Sequence, residues 1–385
     1  MRDLQKEDRL AIFSLSAGHF ISDAYSNFLG PLLPLLVLKL KLSIAQAGWL
    51  AALQVISSSL TQPAYGYLSD RYLKRLFAVF SPLVTVVFMS FLGVAPNYLT
   101  LALLLLCGGV GIASFHPQSA ALASSASRHR KGLGMSIFVT SGTIGYSLGP
   151  VIITSAVATF GLERSYWVMV PGLLVFSLLY FSVPKTPHST KVKENVNLKI
   201  AIKAVWYPLL ILFLLVVIRS ALQVCFVNFL PLYFSQKGAT PTMAGKITTL
   251  FLFFGAIGGF CGGAVADRLG GKNVIAWSMF FSTPLLLAFL LNSGILSYVF
   301  LAAAGLALLS TLPVNVVMAQ NLMPQSSSVV SSLMMGLAWG TGGMVVPIIG
   351  IIADVAGLAR ALMVVSLLPI LGFALVQFLP TRYME

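Results

Sequence analysis

Charged residues, cysteine and histidine are all scarce in this chain of 385 residues. Asp, Glu, Lys and Arg together make up 9% of the sequence, whereas soluble domains carry about 25% charged residues. The three cysteines, Cys107, Cys225 and Cys261, stand singly in apolar segments and form no CxxC pair. The composition therefore argues against an ordinary soluble domain, and it predicts neither a disulfide framework nor a cysteine metal site.

Sequence signatures of some enzymes and of ATP-driven pumps are also missing. There is no HExxH zinc motif and no GxxxxGK[ST] phosphate loop. Paired carboxylates inside the membrane are missing too, because Asp23 is the only acidic residue that lies clearly in the middle of an apolar segment. We therefore predict that the chain is not an enzyme, that it needs no cofactor and that ATP does not drive it directly.

Long apolar segments dominate what is present, and hydrophobic residues make up 58% of the chain. Each segment is close to the ~20 residues that a helix needs to cross a bilayer. The sequence thus predicts an all-α integral membrane protein with twelve transmembrane helices. They are expected at residues 10–38, 45–69, 76–95, 98–123, 132–158, 164–183, 206–235, 243–266, 273–292, 295–320, 327–353 and 360–379.

The net charge of +14 follows from the placement of the basic residues. If both termini are cytoplasmic, most Lys and Arg residues fall in cytoplasmic segments, as the positive-inside rule requires. The excess charge therefore sets the orientation in the lipid bilayer, and we expect no nucleic-acid partner.

Several landmarks recur along the chain at one fixed spacing. The motif Gly66-Tyr-Leu-Ser-Asp70-Arg71 returns 197 residues later as Gly263-Ala-Val-Ala-Asp267-Arg268. The same shift carries Pro34 to Pro231, Ala47-Gly48 to Ala244-Gly245, and Pro150 to Pro347. Two homologous halves in a membrane protein indicate a transporter whose site lies between them.

The repeat predicts the domain organisation. We expect an N-terminal six-helix bundle at residues 1–183, a basic cytoplasmic linker at 184–205 and a C-terminal six-helix bundle at 206–385. Because six is even, the two bundles share one orientation and are related by a pseudo-twofold axis along the membrane normal. The two halves already complete the transporter, so we expect a monomer.

Twelve helices, the six-plus-six repeat and Gly-x-x-x-Asp-Arg after helices 2 and 8 resemble the major facilitator superfamily, over the whole chain. The resemblance implies that the two motifs help to latch the cytoplasmic side, with gating residues Gly66, Asp70, Arg71, Gly263, Asp267 and Arg268. The second copy continues with Gly270-Gly271-Lys272, as the family pattern prefers. The first copy departs from it, since Tyr72-Leu73-Lys74-Arg75 contains no glycine.

Shorter stretches are similar to the fosmidomycin resistance protein group of drug efflux pumps. They are Gly18-His19-Phe-Ile-Ser-Asp23-Ala-Tyr25, Pro31-Leu-Leu-Pro34, Gln62-Pro63, Phe115-His116-Pro117 and Gly132-Leu-Gly134-Met135-Ser136. Gly145-Tyr-Ser-Leu-Gly149-Pro150 partly resembles the helix 5 signature of drug–proton antiporters, which implies that Gly145, Gly149 and Pro150 take part in gating. The resemblance implies a small-molecule substrate and the cytoplasmic (inner) membrane of a prokaryote.

Two charges lie inside the predicted membrane region at nearly equivalent positions of the two halves. Asp23 is in helix 1, and Arg219 in helix 7 is one residue short of the repeat equivalent of Asp23. A charge at the centre of a bilayer costs roughly 2.5–3.5 kcal/mol on insertion scales, so such charges pair or line water. We therefore expect Asp23 and Arg219 to face a central cavity and to interact, directly or through water, in at least one conformation.

Polar side chains surround both charges along the helices. His19 and Asn27 lie one helical turn before and after Asp23, and Gln223 lies one turn after Arg219. We predict that protons are carried by Asp23, His19 and His116. Substrate is expected to contact Arg219, Tyr25, Asn27, Gln223, Asn228 and Asn315.

These residues favour a secondary active transporter, a proton-coupled exporter of a small anionic or amphiphilic compound such as an antibiotic. An importer of organic anions, coupled to protons or anions, would use the same residues with opposite net direction. A metal-ion carrier is less favoured. Asp23, His19 and His116 are plausible ligands, but no carboxylate-rich cluster accompanies them and Arg219 would repel a cation. We therefore predict no metal site. A further alternative is a sensor of this fold, which would bind a ligand but would not transport it.

Overall fold

The computed structural model describes residues 2–71, 74–127, 131–183 and 198–380. Within these ranges the chain is almost wholly helical and contains no β-strand. Eleven stretches of the described chain are long and apolar enough to cross a membrane. They are Asp8–Leu40, Arg75–Val94, Tyr98–Ala126, Leu133–Phe160, Leu162–Ser182, Ile202–Gln236, Pro241–Leu269, Gly271–Leu291, Gly294–Leu322, Val329–Ala356 and Leu358–Gln377.

The predicted second transmembrane helix is present but broken into three pieces. Ile44–Val55 is α-helical, Ile56–Leu60 forms a π-helical turn and Gln62–Arg71 is α-helical again. Hydroxyl groups bond back to the backbone at the break, where Ser57 Oγ donates to Gln54 O at 3.0 Å and Thr61 Oγ1 to Ser57 O. Such bonds compete with the regular helical ladder. With this segment the prediction of twelve transmembrane helices is confirmed, and we number them spans 1 to 12 in chain order.

Two compact units make up the chain. Unit 1 comprises Met1–Leu42, Leu53–Lys191 and Gly238–Lys246, and unit 2 comprises Ser43–Ala52, Val192–Lys237 and Ile247–Glu385. Compared with the predicted bundles, a short segment of each sequence half belongs to the other half's unit. Most of the predicted linker, residues 184–197, lies outside the described residues. The predicted bundle boundaries therefore stay a prediction.

Unit 1 contains spans 1 and 3 to 6 with the later part of span 2. Span 1 is interrupted at Asn27 and Phe28, ahead of two prolines that lack the backbone donor a helix needs. One core cluster joins Leu15 and Phe138 with Val79, Ala123 and Leu179. The helices are Arg2–Ser26, Leu29–Leu40, Gln62–Arg71, Lys74–Ser90, Leu92–Val94 (3-10), Tyr98–Ala126, Lys131–Phe160, Leu162–Val168 (3-10) and Met169–Ser182.

Unit 2 contains spans 7 to 12 apart from the first residues of span 8. The Leu198–Gln236 helix is kinked at Val205, whose φ of −126° and ψ of 19° are not helical. The other helices are Pro241–Leu269, Gly271–Leu291, Gly294–Leu309, Thr311–Leu322, Pro324–Ser326 (3-10), Ser327–Ser332, Leu333–Ala338 (π), Trp339–Gly343, Val346–Ala356, Leu358–Ser366 and Leu368–Gln377.

Glycines bring equivalent helices into backbone contact in both units. In unit 1 a Cβ on Gly145 of span 5 would overlap the Phe20 carbonyl of span 1. In unit 2, 197 residues later, a Cβ on Gly342 would lie 2.8 Å from the Val217 carbonyl of span 7. Only glycine allows such an approach, so the sequence repeat is also a repeat of packing.

Ser43–Ala52 and Gly238–Lys246, each of which belongs to the unit of the other sequence half, are called the exchanged segments here. Each packs through a glycine against a proline, and the two glycine–proline pairs are equivalent in the repeat. Within unit 2, a Cβ on Gly48 would lie 2.9 Å from Val346 O and Pro347 Cα. Within unit 1, a Cβ on Gly245 would lie 2.9 Å from Pro150 O. In unit 2 the contact is reinforced by Asp354, whose carboxylate accepts from the amides of Ile44 at 2.8 Å and Ala45 at 2.9 Å.

Candidate functional site

The first candidate site is a carboxylate held between two imidazoles in unit 1. His19 and Asp23 are one turn apart on span 1, and His19 Nε2 lies 3.3 Å from Asp23 Oδ2. His116, from span 4, places its Nε2 3.3 Å from the other carboxylate oxygen, Oδ1. The structure therefore brings together the three residues that the sequence predicts to carry protons.

The orientation of His19 is fixed from its other side. His19 Nδ1 lies 2.8 Å from the carbonyl oxygen of Phe138, which can only accept, so Nδ1 carries a hydrogen. The imidazole also stacks on the Phe138 ring, with centroids 4.3 Å apart. His19 Nε2 therefore faces Asp23, as a lone pair when the ring is neutral and as an N–H donor when it is protonated.

A missing side chain on span 5 makes room for this cluster. A Cβ on Gly142 would overlap His19 Nε2 and would lie 2.7 Å from Asp23 Oδ2. The side chains of His19, Asp23 and His116 are 11%, 17% and 27% exposed, so accessibility rises towards His116. Sequence reasoning missed Gly142, although it belongs to the same glycine series as Gly145 and Gly149.

A second candidate site, in unit 2, is centred on a buried arginine. Arg219 is 2% exposed, and its Nη1 donates to Gln223 Oε1 at 3.0 Å, one turn along span 7. Its Cζ lies 5.4 Å from the centroid of the Trp339 ring, within the range of a cation–π interaction. The predicted pair of Arg219 and Gln223 is thus present, and Trp339 joins it as a residue that sequence reasoning missed.

The repeat relates the two candidate sites in sequence. Trp339 lies 197 residues after Gly142, so the position that is empty beside His19 and Asp23 is filled by an indole beside Arg219. This equivalence was the available sequence signal for both residues. Asp23 and Arg219 belong to different units, and the interaction expected between them stays a prediction.

The remaining predicted substrate contacts occupy several different environments. Asn27 is buried and donates from Nδ2 to Tyr146 O at 2.8 Å, and Asn228 donates to Val224 O at 2.9 Å. Asn315 is 1% exposed, and its two amide atoms have no hydrogen-bond partner within the described part of the chain. Tyr25 is not brought to the Asp23 cluster, because its buried hydroxyl donates to Val168 O.

The predicted gating residues are only partly described. The side chains of Asp70 and Arg71 lie outside the described residues, whereas those of Asp267 and Arg268 are exposed. Gly66 and Gly263 each approach a proline ring, with a Cβ at 3.9 Å from Pro117 Cβ and 4.0 Å from Pro313 Cγ respectively. Gly145, Gly149 and Pro150 lie in the close contacts of span 5.

The run from Gly145 to Gly149 also has the form GxSxG found in serine hydrolases. A nucleophile elbow of that kind is a sharp turn from strand to helix. Here the run is continuous α-helix within Lys131–Phe160, and Ser147 Oγ donates to Thr143 O at 2.8 Å. The motif therefore has no nucleophile geometry.

A helical membrane protein with two internally related units and charged clusters inside its spans has the architecture of a secondary transporter. Comparison with known families agrees, since residues 15–347 match the model of the Major Facilitator Superfamily. The chain belongs to this superfamily.

Several bacterial transporters align with most of the chain. It is 30% identical over 369 residues to the uncharacterized MFS-type transporter YfnC of Bacillus subtilis, covering 92% of this chain and 89% of that protein. It is 29% identical over 377 residues to the fosmidomycin resistance protein of Escherichia coli, covering 95% and 92%. The multi-drug resistance efflux pump PmrA of Streptococcus pneumoniae is 26% identical over 294 residues, covering 73% of each.

A solved structure shows the same fold. The bacterial homologue of the human lysosomal transporter Spinster, in an inward-facing and unoccupied conformation, superposes with a TM-score of 0.79 at 15% identity. The match covers 98% of this chain and 97% of that one. At this identity the likeness concerns the fold alone.

Proposed function

We propose that the protein is a proton-coupled exporter of a small anionic or amphiphilic compound, working as a monomer by alternating access in the inner membrane. The observation that carries the proposal is the Asp23 carboxylate, which has one imidazole at each oxygen within apolar spans. A packing role would not call for three ionisable groups, because each is expensive to place in a membrane.

The cluster can hold and pass a proton. His116 is the most exposed of the three residues and is the proposed point of contact with water, while Asp23 bridges it to His19. A proton on either imidazole is stabilised by the negative carboxylate, and a proton on Asp23 leaves both imidazoles neutral. The cluster therefore changes its net charge by one when it is loaded, and alternating access converts that change into transport.

Arg219 is the proposed binding group for the anionic part of the substrate. A guanidinium is always protonated and presents N–H groups in a rigid plane that suits carboxylate and phosphonate groups. Arg219 is 2% exposed and donates from Nη1 to Gln223 Oε1 at 3.0 Å, so a buried polar pair is present where the anion would bind. Asn315, buried with both amide atoms unbonded in the described chain, is a further candidate contact.

Export is proposed because the relatives carry the names of a fosmidomycin resistance protein and a multi-drug resistance efflux pump. Fosmidomycin is a phosphonate anion, which fits a cationic group such as Arg219. In such an exporter, the turn from the inward-facing to the outward-facing state carries the substrate, and the return carries the proton. The protein therefore releases its substrate outside and loads a proton there before it returns.

The test uses purified protein in liposomes with a pH-sensitive dye inside and an imposed proton gradient. Fosmidomycin, a panel of other organic anions and a panel of organic cations are added in turn. We expect an anion to trigger proton movement with wild-type protein, and Asp23→Asn to abolish that movement. Arg219→Gln should abolish the response to anions.

Two control variants separate these effects from general loss of charge. Glu163→Gln removes a carboxylate that is 66% exposed and paired with Lys39, and Arg360→Gln removes an exposed arginine. Both should behave as wild type. Normal proton movement in Asp23→Asn would contradict the proton assignment, and anion and proton moving in the same direction would indicate an importer.

A further inference from the structure

The Trp339 indole is placed by a local departure from the α-helix. Residues Leu333–Ala338 form a π-helical turn, and Trp339, which follows it directly, donates its amide to Gly336 O. A π-turn contains an extra residue relative to an α-helix, so it changes the direction in which the following side chains point. The turn ends immediately before the residue that contacts Arg219.

Contacts on both sides of the indole fix its register against span 7. Ser220 Oγ, next to Arg219 in sequence, lies 3.3 Å from Ala338 O, next to Trp339, while its hydrogen also has Val216 O on its own helix at 2.8 Å. One turn on, a Cβ on Gly342 would lie 2.7 Å from the amide nitrogen of Ala221. Spans 7 and 11 therefore cannot slide past each other at this point without breaking these contacts.

Unit 1 uses an aromatic ring in a similar way. There the Phe138 ring of span 5 stacks under His19 of span 1, with centroids 4.3 Å apart. In unit 2 the Trp339 ring of span 11 lies 5.4 Å from Arg219 Cζ of span 7. In each unit, a ring from the equivalent span supports an ionisable side chain.

We propose that Trp339 is the positioning residue of the anion site, holding the Arg219 guanidinium in the orientation that binds substrate. The inference rests on the proposed function, because it takes Arg219 to be the anion-binding group. A flexible arginine would have to be ordered on binding, and that ordering weakens affinity. An arginine that already lies against a ring and bonds to Gln223 has less freedom to lose.

The test compares Trp339→Phe, which keeps a ring, with Trp339→Leu, which removes it. Fosmidomycin, or the anion that gives the largest response in the liposome assay, is the probe. From the strength of a cation–π contact we expect Trp339→Leu to raise KM for the anion about five- to thirtyfold, and Trp339→Phe to stay within about threefold. The maximal rate should change little in both variants.

Fluorescence supplies a readout that does not depend on transport. In a variant with Trp339 as its only tryptophan, addition of the anion should change the emission. The same variant with Arg219→Gln should give no change. In the transport assay, Trp277→Leu is the matched control for Trp339→Leu, since Trp277 is 55% exposed and stacks on Phe281.

The outcomes separate this inference from the proposed function. If Arg219→Gln abolishes anion transport while Trp339→Leu leaves KM unchanged, the inference is overturned and the anion site stands. If neither substitution affects anion transport, the proposed function fails as well. If Trp339→Leu and Trp339→Phe lose the maximal rate equally with unchanged KM, Trp339 is structural and the inference is again overturned.

Discussion

Replacing Gly142 with alanine should uncouple proton movement without removing any ionisable group. The new Cβ would overlap His19 Nε2 and would lie 2.5 Å from His19 Cε1 and 2.7 Å from Asp23 Oδ2. Ordinary contact begins at 3.4 Å, so these groups must move apart by about 1 Å. The imidazole cannot do so and also keep its 3.3 Å contact with Asp23 and its 2.8 Å bond to Phe138 O.

The expected magnitude follows from this displacement. Overpacking of a well-packed interior costs about 1–3 kcal/mol, which lowers the melting temperature but leaves a folded protein. Displacing reacting groups by about 1 Å can slow a chemical step by up to about a hundredfold, so we expect proton-coupled flux to fall at least about tenfold.

Gly111→Ala is the matched control for Gly142→Ala. Its Cβ would lie 2.7 Å from the amide nitrogen of Thr85 and 2.8 Å from Ser81 O, so it strains the contact between spans 3 and 4 of unit 1. Proton flux in liposomes and thermal unfolding in detergent are measured for both variants. Equal losses of flux, or full coupling in Gly142→Ala, would refute the reasoning that the cluster needs this space.

Two further predictions concern stability. Arg75 donates to the carbonyls of Tyr180 and Val183 at the end of span 6, and Lys272, 197 residues later, donates to those of Gln377 and Leu379 at the end of span 12. Replacing either residue with alanine should destabilise the protein by about 1 kcal/mol, because a helix end loses its cap. Thermal unfolding measures the effect. An unchanged melting temperature would show that water replaces the cap. Asp354→Ala removes the cap of Ile44–Val55, so it should lower the free energy of unfolding by about 0.5–2 kcal/mol and speed proteolysis near Ser43. Asp354→Asn should retain part of the cap. Unaltered proteolysis in Asp354→Ala would contradict the capping role.

The transmembrane helices could be predicted from the sequence because the thickness of the bilayer sets the length of a spanning helix. The break in the second span could not be predicted from the sequence. Its Ser57, Ser58 and Thr61 look like ordinary small polar residues in an apolar segment. Whether their hydroxyls bond to the local backbone depends on packing that the pattern does not contain.

The candidate sites could be predicted only in part. His19 and Asp23 share a helical stripe, and ionisable groups in a membrane are conspicuous. Trp339 was missed because an aromatic residue in an apolar helix looks like packing. Tyr25 follows Asp23 by two residues, about 200° around the helix, so the helical period already separated it from that stripe. Its hydroxyl is bonded to Val168 O.

The exchanged segments bear on how the two halves of the gene can change. The chain passes from one unit to the other five times, and each unit contains a short segment encoded by the other half. Gly48 is fitted to Pro347, and Gly245 to Pro150. After a duplication, neither copy could drift freely, because part of each copy folds against the other. A chimera that takes one half from a relative must therefore also take the matching segment, or both units lose a packing partner.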